Sequence, residues 1–369
     1  MEKRTAFEHG IIYRNTDTFF RYNGWASVCK DDEGTLYTVW SGARAWHVCP
    51  FGKTLMSKST DGGKRWSMPM IINDTWLDDR DAGVICLGGK KLLVSWFTHP
   101  VESYLGNKWL HDTIIKAWPG SESALGEYVN IPADAPRGGS NIRVSDEDGI
   151  GWGEQIWLPI SAPHGPILRR DGSLLYLGKE MWCHDKDLPD VVLAMESRDE
   201  GKTWTELGRV PLPEVEGIQW NHLHEPHVAE LPDGTLIGMI RGHHPGFTLY
   251  QTVSHDGGRT WSVPVHLGVN GAPPHVLVHS SGAVITTFGR RAEPYGERAI
   301  VSYDGGRTWP DEYILRDDAP NGDLGYPATV ELDDGSLLTV YYQVADEKSE
   351  IPTVGEGEYP SIMYTKWTL

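Results

Sequence analysis

Residues 254–261 read Ser-His-Asp-Gly-Gly-Arg-Thr-Trp, and the pattern Ser-x-Asp-x-Gly-x-x-Trp occurs five times in this chain of 369 residues. The five copies are Ser59–Trp66, Ser145–Trp152, Ser197–Trp204, Ser254–Trp261 and Ser302–Trp309. The second copy carries Glu147 in place of the Asp. Self-similarity at intervals of 48 to 86 residues predicts a repeat architecture in which one unit is enlarged.

A second pattern alternates with these boxes: an apolar run, a turn that ends in Gly, and another apolar run. The turn glycines are Gly34, Gly89, Gly172, Gly234, Gly282 and Gly335. A Gly turn between apolar runs predicts a β-hairpin, most strongly where the turn is Asp-Gly. We therefore predict an all-β fold, a six-bladed β-propeller with four-stranded antiparallel blades that forms a single domain over residues 1–369. Each hairpin joins strands 1 and 2 of a blade, and each box joins strands 3 and 4.

The longest gap between a turn glycine and the next box, 56 residues, separates Gly89 from Ser145. It places an insertion at about residues 98–140, between strands 2 and 3 of the second blade. Antiparallel strands put the hairpins and boxes on one rim, the lower rim, and the insertion on the opposite, upper rim. We expect the insertion to act as a lid there, because long loops on one face of a repeat array usually mark the binding face. No helix longer than two turns is expected, and Ser361–Leu369 should complete a blade shared by the two chain ends.

The composition excludes several classes of partner. A formal charge of −18 and a pI near 5.2 argue against binding to nucleic acid or to an anionic membrane. No apolar run is long enough to cross a bilayer. The first residues lack the apolar stretch of a secretion signal, so we expect a cytoplasmic protein, or a secreted one if a leader has been removed. The four cysteines lack the spacing of metal ligands, and we expect free thiols, no cofactor and no metal. The oligomeric state is not indicated.

The distance from each turn glycine locates the residues that face the channel. Counting back nine positions reaches the upper end of each innermost strand, at Trp25, Arg80, Pro163, Glu225, Pro273 and Tyr326. Counting forward seven positions from Gly234 reaches Arg241, beside Glu225 on the same blade. The sequence therefore predicts that Glu225, Arg241 and Tyr326 meet at the upper end of the channel.

These residues and the boxes resemble the sialidase (neuraminidase) superfamily of Asp-box proteins, as a divergent member. Glu225 to Arg241 matches a family segment in which a Glu opens an inner strand and an Arg ends the next, and Gly325-Tyr326-Pro327 stands where the family has its nucleophilic Tyr. The resemblance implies that Tyr326 attacks the sugar, that Glu225 takes its proton and that Arg241 binds a sugar carboxylate. A phenol with a pKa near 10 is a weak nucleophile unless a base activates it.

Other family positions are matched less closely. Arg298, four residues before the last box, is the candidate for a further clamp arginine, with Arg290 and its neighbour Arg291 as alternates. The first family arginine is represented by Arg21, although the position that aligns with it is Gly24.

The family's acid/base Asp has no counterpart, because residues 45–53 contain no Asp or Glu. His47 is the candidate there, since an imidazole can exchange protons near neutral pH, and Asp81 is the carboxylate alternative. Trp25, Trp46 and His227 are further candidates for lining a sugar pocket.

The leading hypothesis is an exo-acting glycoside hydrolase of the sialidase type, which releases a terminal acidic sugar from a carbohydrate. A polysaccharide lyase or hydrolase that acts on uronate-containing glycans is an alternative, because propeller lyases use Tyr and His beside an arginine-neutralised uronate. A third hypothesis is a non-catalytic glycan-binding propeller, since a fold does not by itself imply an activity.

Overall fold

The computed structural model describes residues 1–16, 19–117, 121–132, 135, 137–180, 191–345 and 359–369. Two short strands open the chain, β1 (Glu2–Lys3) and β2 (Glu8–Tyr13). The remaining strands of blades 1 to 3, from the channel outward, are β3 (Tyr22–Lys30), β4 (Leu36–Arg44), β5 (Lys53–Ser59) and β6 (Met70–Asn73); β7 (Asp79–Gly88), β8 (Lys91–Thr98), β9 (Gly139–Ser145) and β10 (Ile156–Leu158); and β11 (Ile167–Leu168), β12 (Leu174–Lys179), β13 (Val192–Ser197) and β14 (Thr205–Arg209).

Blades 4 to 6 follow the same order. Their strands are β15 (Leu223–Glu230), β16 (Leu236–Gly242), β17 (Thr248–Ser254) and β18 (Val265–His266); β19 (Pro274–Val278), β20 (Val284–Arg290), β21 (Gly296–Ser302) and β22 (Asp311–Ile314); and β23 (Gly325–Glu331), β24 (Leu337–Val344) and β25 (Pro360–Trp367). Within each blade the pairing is antiparallel. The predicted six-bladed propeller is confirmed.

The two chain ends close the ring together. Strand β25 lies between β24 and β2, so the sixth blade takes its outermost strand from the N-terminus. Strand β1 adds a parallel pair to β22 of blade 5. Because β2 pairs with β25, the two ends of the chain hold each other within one blade, and this closes the ring.

The boxes close turns on the lower rim. In the fourth copy the Asp256 carboxylate accepts the backbone N–H groups of Arg259 and Thr260 at 3.1 and 2.9 Å. Trp261 then packs among Leu175, Leu177 and Val228, between blades 3 and 4. The box therefore fixes a turn and fills the gap between two blades, far from the upper rim.

The insertion is helical, and the expectation of no helix beyond two turns is wrong. It contains α1 (Val101–Gly106), α2 (Lys108–Ala117) and α3 (Ser121–Glu127), followed by a 3-10 turn at Tyr128–Asn130. Pro100 immediately precedes α1 and Gly106 ends it, and at these positions the two residue types are tolerated. None of the described helices is long and apolar enough to cross a membrane. Whether the insertion works as a lid stays a prediction.

Candidate active site

Four inner strands share an unusual backbone feature at their upper ends. Trp25, Asp81, Glu225 and Tyr326 have φ between 44° and 57°, a region that side-chain-bearing residues seldom adopt. Each lies at a break in the pairing between its strand and the second strand of the blade. Such bulges re-aim side chains, and strained backbone of this kind concentrates at functional sites. The four residues form a ring around the upper end of the channel.

The position predicted for blade 2 was wrong by one residue. Arg80 was expected in the ring, but Asp81 occupies it, because two residues link β7 to β8 whereas five link β3 to β4. The Arg80 guanidinium lies instead over the Trp25 ring, 4.4 Å from its centre. The shorter hairpin therefore brings a carboxyl group, rather than a cation, into the channel.

Tyr326, Glu225 and Arg241 come together as the sequence predicted. The Tyr326 hydroxyl donates to Oε1 of Glu225 at 2.5 Å, and Nη1 of Arg241 donates to Oε2 at 2.5 Å. The same Nη1 lies 3.2 Å from the Tyr326 hydroxyl oxygen. The Glu225 and Tyr326 side chains are buried, so these charge-assisted bonds are little screened by water.

The electrostatics of this trio keep the proton on the Tyr326 hydroxyl at rest, next to the carboxylate that can accept it. Burial would raise the pKa of Glu225, but the Arg241 charge and the Tyr326 hydrogen bond outweigh it and keep that pKa below its usual value. Burial, with the charges of Glu225 and Asp81, raises the pKa of Tyr326 well above its ordinary value. At rest the pair is therefore a neutral phenol beside an ionised carboxylate, and the proton moves only when the phenolate gains a bonding partner.

Asp81 is a second carboxyl group in the same ring. Burial raises its pKa to about 7, against the opposing charge of Arg80 and with help from the charge of Glu225. Its Oδ1 is buried and has no hydrogen-bond partner among the described residues. A carboxylic acid that is neutral just below pH 7 can donate a proton, as the acid of a glycosidase must.

His47 lies beside the ring and is held by a residue that the sequence did not reveal. The Tyr22 hydroxyl donates to the Asp323 carboxylate at 2.9 Å and lies 2.9 Å from Nδ1 of His47. That Nδ1 is 3.3 Å from Oδ1 of Asp323, and Tyr342 donates to the same oxygen at 3.2 Å. Burial lowers the pKa of His47, with Asp323 opposing the effect. A Nδ1–H directed at Asp323 leaves Nε2 as a free base, so this is a second acid–base group.

Of the two neighbouring arginines on blade 5, Arg291 lies near the trio and Arg290 does not. The Arg291 guanidinium is 6.0 Å from the Tyr326 ring centre, whereas Arg290 bonds to the backbone of Ala292 and Glu293. Arg291 and Arg241 flank the half-exposed ring of Phe247 at 5.6 and 5.2 Å. Phe247 was not foreseen, because it lies on a loop that neither repeat reaches.

Arg298 and Arg21 are not brought to the trio. Arg298 donates to the backbone oxygens of Glu297 and Arg316, and its Nε is 3.5 Å from Glu312 of the outermost strand. Arg298 lies away from the channel, because β21 is the third strand of its blade and Arg298 pairs there with Ile314 of the outermost strand β22. Arg21 stacks over the Tyr359 ring at 4.9 Å. Of the arginines predicted for a carboxylate clamp, Arg241 and the alternate Arg291 therefore lie at the trio, whereas Arg298, Arg290 and Arg21 do not.

Of the three candidates for a sugar-lining role, two are too deeply buried for it. Trp25 is only 1% exposed and carries Arg80 and Arg44 on its ring, so it supports the edge of Tyr326 instead of offering a stacking face. His227 is buried in the channel wall and lines a cavity that extends to the lower rim. Trp46 is half-buried on the loop that carries His47, so part of its side chain stays accessible.

The insertion supports that same loop. Ala45 and Cys49 of the loop pack in one buried cluster with Tyr104 of α1 and Ile114 of α2. The Tyr104 hydroxyl donates at 2.8 Å to Asp78, which forms a fully buried ion pair with Arg44. The helices therefore hold the backbone on both sides of His47.

Cys29 and Cys49 are buried free thiols and Cys86 is a half-buried one, while Cys183 lies outside the described residues. No cluster of three or more acidic, Cys or His side chains in the described ranges has the geometry of a metal site.

The fold and the ring at its upper end define a propeller of the Asp-box class with a Tyr–Glu pair in its channel. A model of the BNR repeat-like domain matches residues 141–340, more than half of the chain, and the chain belongs to this family. Comparison with curated proteins gave no match.

Similar solved structures include sialidases, at low identity. A protein of unknown function from Dyadobacter fermentans is 22% identical with a TM-score of 0.74, and the match covers 99% of this chain and 98% of that one. The NanB sialidase from Streptococcus pneumoniae is 14% identical with a TM-score of 0.70, covering 98% and 70%. The intramolecular trans-sialidase from Ruminococcus gnavus is 17% identical with a TM-score of 0.67, covering 98% and 97%. These likenesses, all at 22% identity or less, show the fold.

Proposed function

We propose that this protein is an exo-acting glycoside hydrolase of the sialidase type, which releases a terminal acidic sugar from a glycan. The observation that carries the proposal is the 2.5 Å hydrogen bond from the Tyr326 hydroxyl to Glu225 at the upper end of the channel. A phenol bonded to an ionised carboxylate is the arrangement required of an activated oxygen nucleophile. The similar structures include a sialidase and an intramolecular trans-sialidase, which agrees with this choice of reaction.

In the first step the Tyr326 oxygen attacks the anomeric carbon while its proton passes to Glu225. The glycosidic bond breaks, and Asp81, protonated below about pH 7, gives its proton to the leaving oxygen. His47, held by Asp323, is the alternative donor from the other side of the ring once its Nε2 has taken up a proton. In the second step water displaces the tyrosine from the sugar. Glu225 returns its proton to Tyr326, and the Asp81 carboxylate takes a proton from the attacking water, which restores both groups.

The substrate's negative charge would be held by Arg241 and Arg291. Arg291 donates from Nε to Ala272 and from Nη1 to Gly322, which fixes its plane beside Tyr326. Arg241 is fixed in the same way by Glu225. A guanidinium with a fixed plane loses little entropy when it binds a carboxylate through its remaining N–H groups. A neutral Tyr nucleophile also spares such a substrate the repulsion of an attacking carboxylate.

The test is turnover of fluorogenic glycosides of sialic acid and related acidic sugars, compared with Tyr326→Phe and Glu225→Gln. Loss of the nucleophile or of its base should lower kcat by at least about 10²-fold. Tyr303→Phe, at an exposed box tyrosine on the lower rim, is the matched control and should leave kcat unchanged. Turnover that survives Tyr326→Phe would overturn the proposal.

A β-eliminating lyase acting on uronate-containing glycans is the second candidate. It is favoured by the contact between the Tyr22 hydroxyl and His47, since such a reaction needs a base beside a phenol. Incubation with uronate oligosaccharides distinguishes the two, because elimination creates an unsaturated product that absorbs ultraviolet light. An absorbance gain that is lost in His47→Ala and kept in Tyr326→Phe would favour the lyase. Binding of glycans with no turnover of any of them would exclude both enzymes.

A further inference from the structure

A cavity lies below the ring formed by Trp25, Asp81, Glu225 and Tyr326, at the opposite end of the channel. It has a volume of about 600 Å³ and is lined by His164, His227 and His275, from blades 3, 4 and 5. The lower ends of the inner strands, at Lys30 and Glu230, form its mouth, so it opens at the lower rim. No step of the proposed hydrolysis uses this cavity.

The three imidazoles form one contiguous cluster. The rings of His227 and His275 stack with their centres 4.4 Å apart, and His164 meets them edge-on at 5.6 and 5.1 Å. All three side chains are at least nine-tenths buried. Burial lowers the pKa of His227 to about 3 and lowers those of His164 and His275 as well, so the empty cluster is neutral.

Backbone hydrogen bonds decide which nitrogens carry protons. The Val276 N–H donates to Nδ1 of His227 at 3.1 Å, and the Thr329 N–H donates to Nδ1 of His275 at 3.4 Å. A neutral imidazole that accepts at Nδ1 must carry its proton on Nε2. A metal ion needs a lone pair at that nitrogen, so this arrangement opposes metal binding. It gives instead two Nε2–H donors on side chains that line the cavity.

His164, the third ring of the cluster, has no hydrogen-bond partner among the described residues at either ring nitrogen, and its side chain is 2% exposed. Buried polar groups in proteins are normally hydrogen-bonded, and one without a partner marks a place where a ligand or solvent completes the structure. Three buried donors from three blades therefore converge on one space.

We propose that this cavity binds a small oxyanion, such as a monocarboxylate, through the N–H groups of His164, His227 and His275. The bound anion supplies the counter-charge that the cluster lacks, so one imidazole takes up a proton as the anion enters. The other charged or titratable groups on the cavity wall are Cys29 and Lys30 of blade 1, Cys86 of blade 2, Arg170 of blade 3, Glu230 of blade 4, His279 of blade 5 and Glu331 of blade 6.

Those wall groups do not compensate the cluster themselves. Glu230 and Glu331 accept the backbone N–H groups of Arg170 and Ser280 at the mouth, both at 2.8 Å. Lys30 is paired with Asp333 at 2.8 Å. An entering anion therefore passes two carboxylates and the exposed Arg170 guanidinium at the mouth and meets neutral donors inside.

Titration of the whole protein with sodium formate at constant ionic strength, followed by nitrogen NMR of labelled histidine, tests this proposal. The spectra should show Nε2–H tautomers for His227 and His275 and saturable shifts of the three cluster histidines. Uptake of one proton per anion should tighten the apparent Kd tenfold for each unit by which the pH is lowered. Nδ1–H tautomers, or no saturable shift at any pH at which the protein stays folded, would overturn it.

Single substitutions distinguish formate binding in this cavity from the chemistry proposed for the upper end of the channel. His227→Phe keeps a ring but removes the donor and should abolish saturation, and His275→Phe is a second variant in case the first fails to fold. His266→Phe, at an exposed position of β18, is the matched control and should bind formate as the unaltered protein does. Tyr326→Phe should also leave formate binding unchanged. Saturable zinc binding at the same three rings would contradict the assigned tautomers.

Discussion

Replacing Arg241 by Met tests the electrostatics of the candidate site without any knowledge of the substrate. Methionine keeps much of the side-chain stem and removes the cation, so Glu225 loses its 2.5 Å ion pair while its carboxylate stays buried. The bond from Tyr326 remains and offsets part of the loss. Breaking a buried pair by removing one partner destabilises proteins by about 3–5 kcal/mol, and we expect a loss in that range at neutral pH.

The loss should depend on pH in a definite direction. In the unaltered protein the pKa of Glu225 is lowered, so its pair stabilises the fold above the unfolded pKa of about 4.3 and is lost as the pH falls. Without Arg241, burial raises that pKa instead, and the carboxyl stabilises the fold less as the pH rises above the unfolded value. Each pH unit in that window should widen the gap between the two proteins by up to about 1.4 kcal/mol.

Urea unfolding followed by tryptophan fluorescence, at about pH 5 and about pH 7.5, measures both quantities. Arg209→Met is the matched control, because Arg209 pairs with Glu206 at an exposed site and should cost under about 1 kcal/mol. Adding Glu225→Gln to Arg241→Met should remove the additional pH dependence of stability that Arg241→Met creates, because the unpaired carboxyl is gone. A loss below about 1 kcal/mol at pH 7.5, or equal losses at the two pH values, would refute the assignment of a buried, compensated Glu225.

Three further outcomes are expected. If Asp81 is the proton donor, kcat/KM should fall as the pH rises through about 7. Asp81→Asn should lower the rate and also remove this fall at high pH from the profile of kcat/KM. A fall that is unchanged in the variant would identify His47 as the donor. Tyr104→Phe removes a hydrogen bond to the buried Asp78 carboxylate and should lower the free energy of unfolding by about 1.5–3 kcal/mol. The control Tyr128→Phe, which removes a hydrogen bond to a neutral carbonyl, should lower it by about 1 kcal/mol. Equal losses would contradict the conclusion that the hydrogen bond to Asp78 anchors the insertion. Asp256→Ala should lower the thermal midpoint and leave KM unchanged, because the fourth box closes a turn on the lower rim; an altered KM would contradict its purely structural role.

The parts of the site that could be predicted from sequence are those governed by a constant local spacing. The hairpins of blades 1, 4 and 6 have the same length, so one count reached Trp25, Glu225 and Tyr326 at equivalent places. The hairpin of blade 2 is shorter, and the same count stopped at Arg80 instead of Asp81. A repeat therefore transfers residue positions only as far as its turns keep their length.

Contacts between blades could not be read from spacing. Asp323 reaches His47 across the closure between blades 6 and 1, although 276 residues separate them in sequence. Asp323 does stand three residues before Tyr326 on the upper rim, which is the one sequence feature that could have marked it. Arg291 and Arg290 are neighbours at the end of β20, where the direction of a side chain depends on how the strand ends. That choice requires the packed structure.

The measurement that most directly tests the central claim is covalent trapping of Tyr326. A fluorinated acidic sugar that forms the glycosyl-enzyme but slows its hydrolysis should add one sugar mass to the intact protein, and peptide mapping should place that mass on Tyr326. Glu225→Gln should form the adduct more slowly, because the base that activates the phenol is gone. An adduct on another residue, or hydrolysis of the substrate with no adduct on Tyr326, would contradict the account.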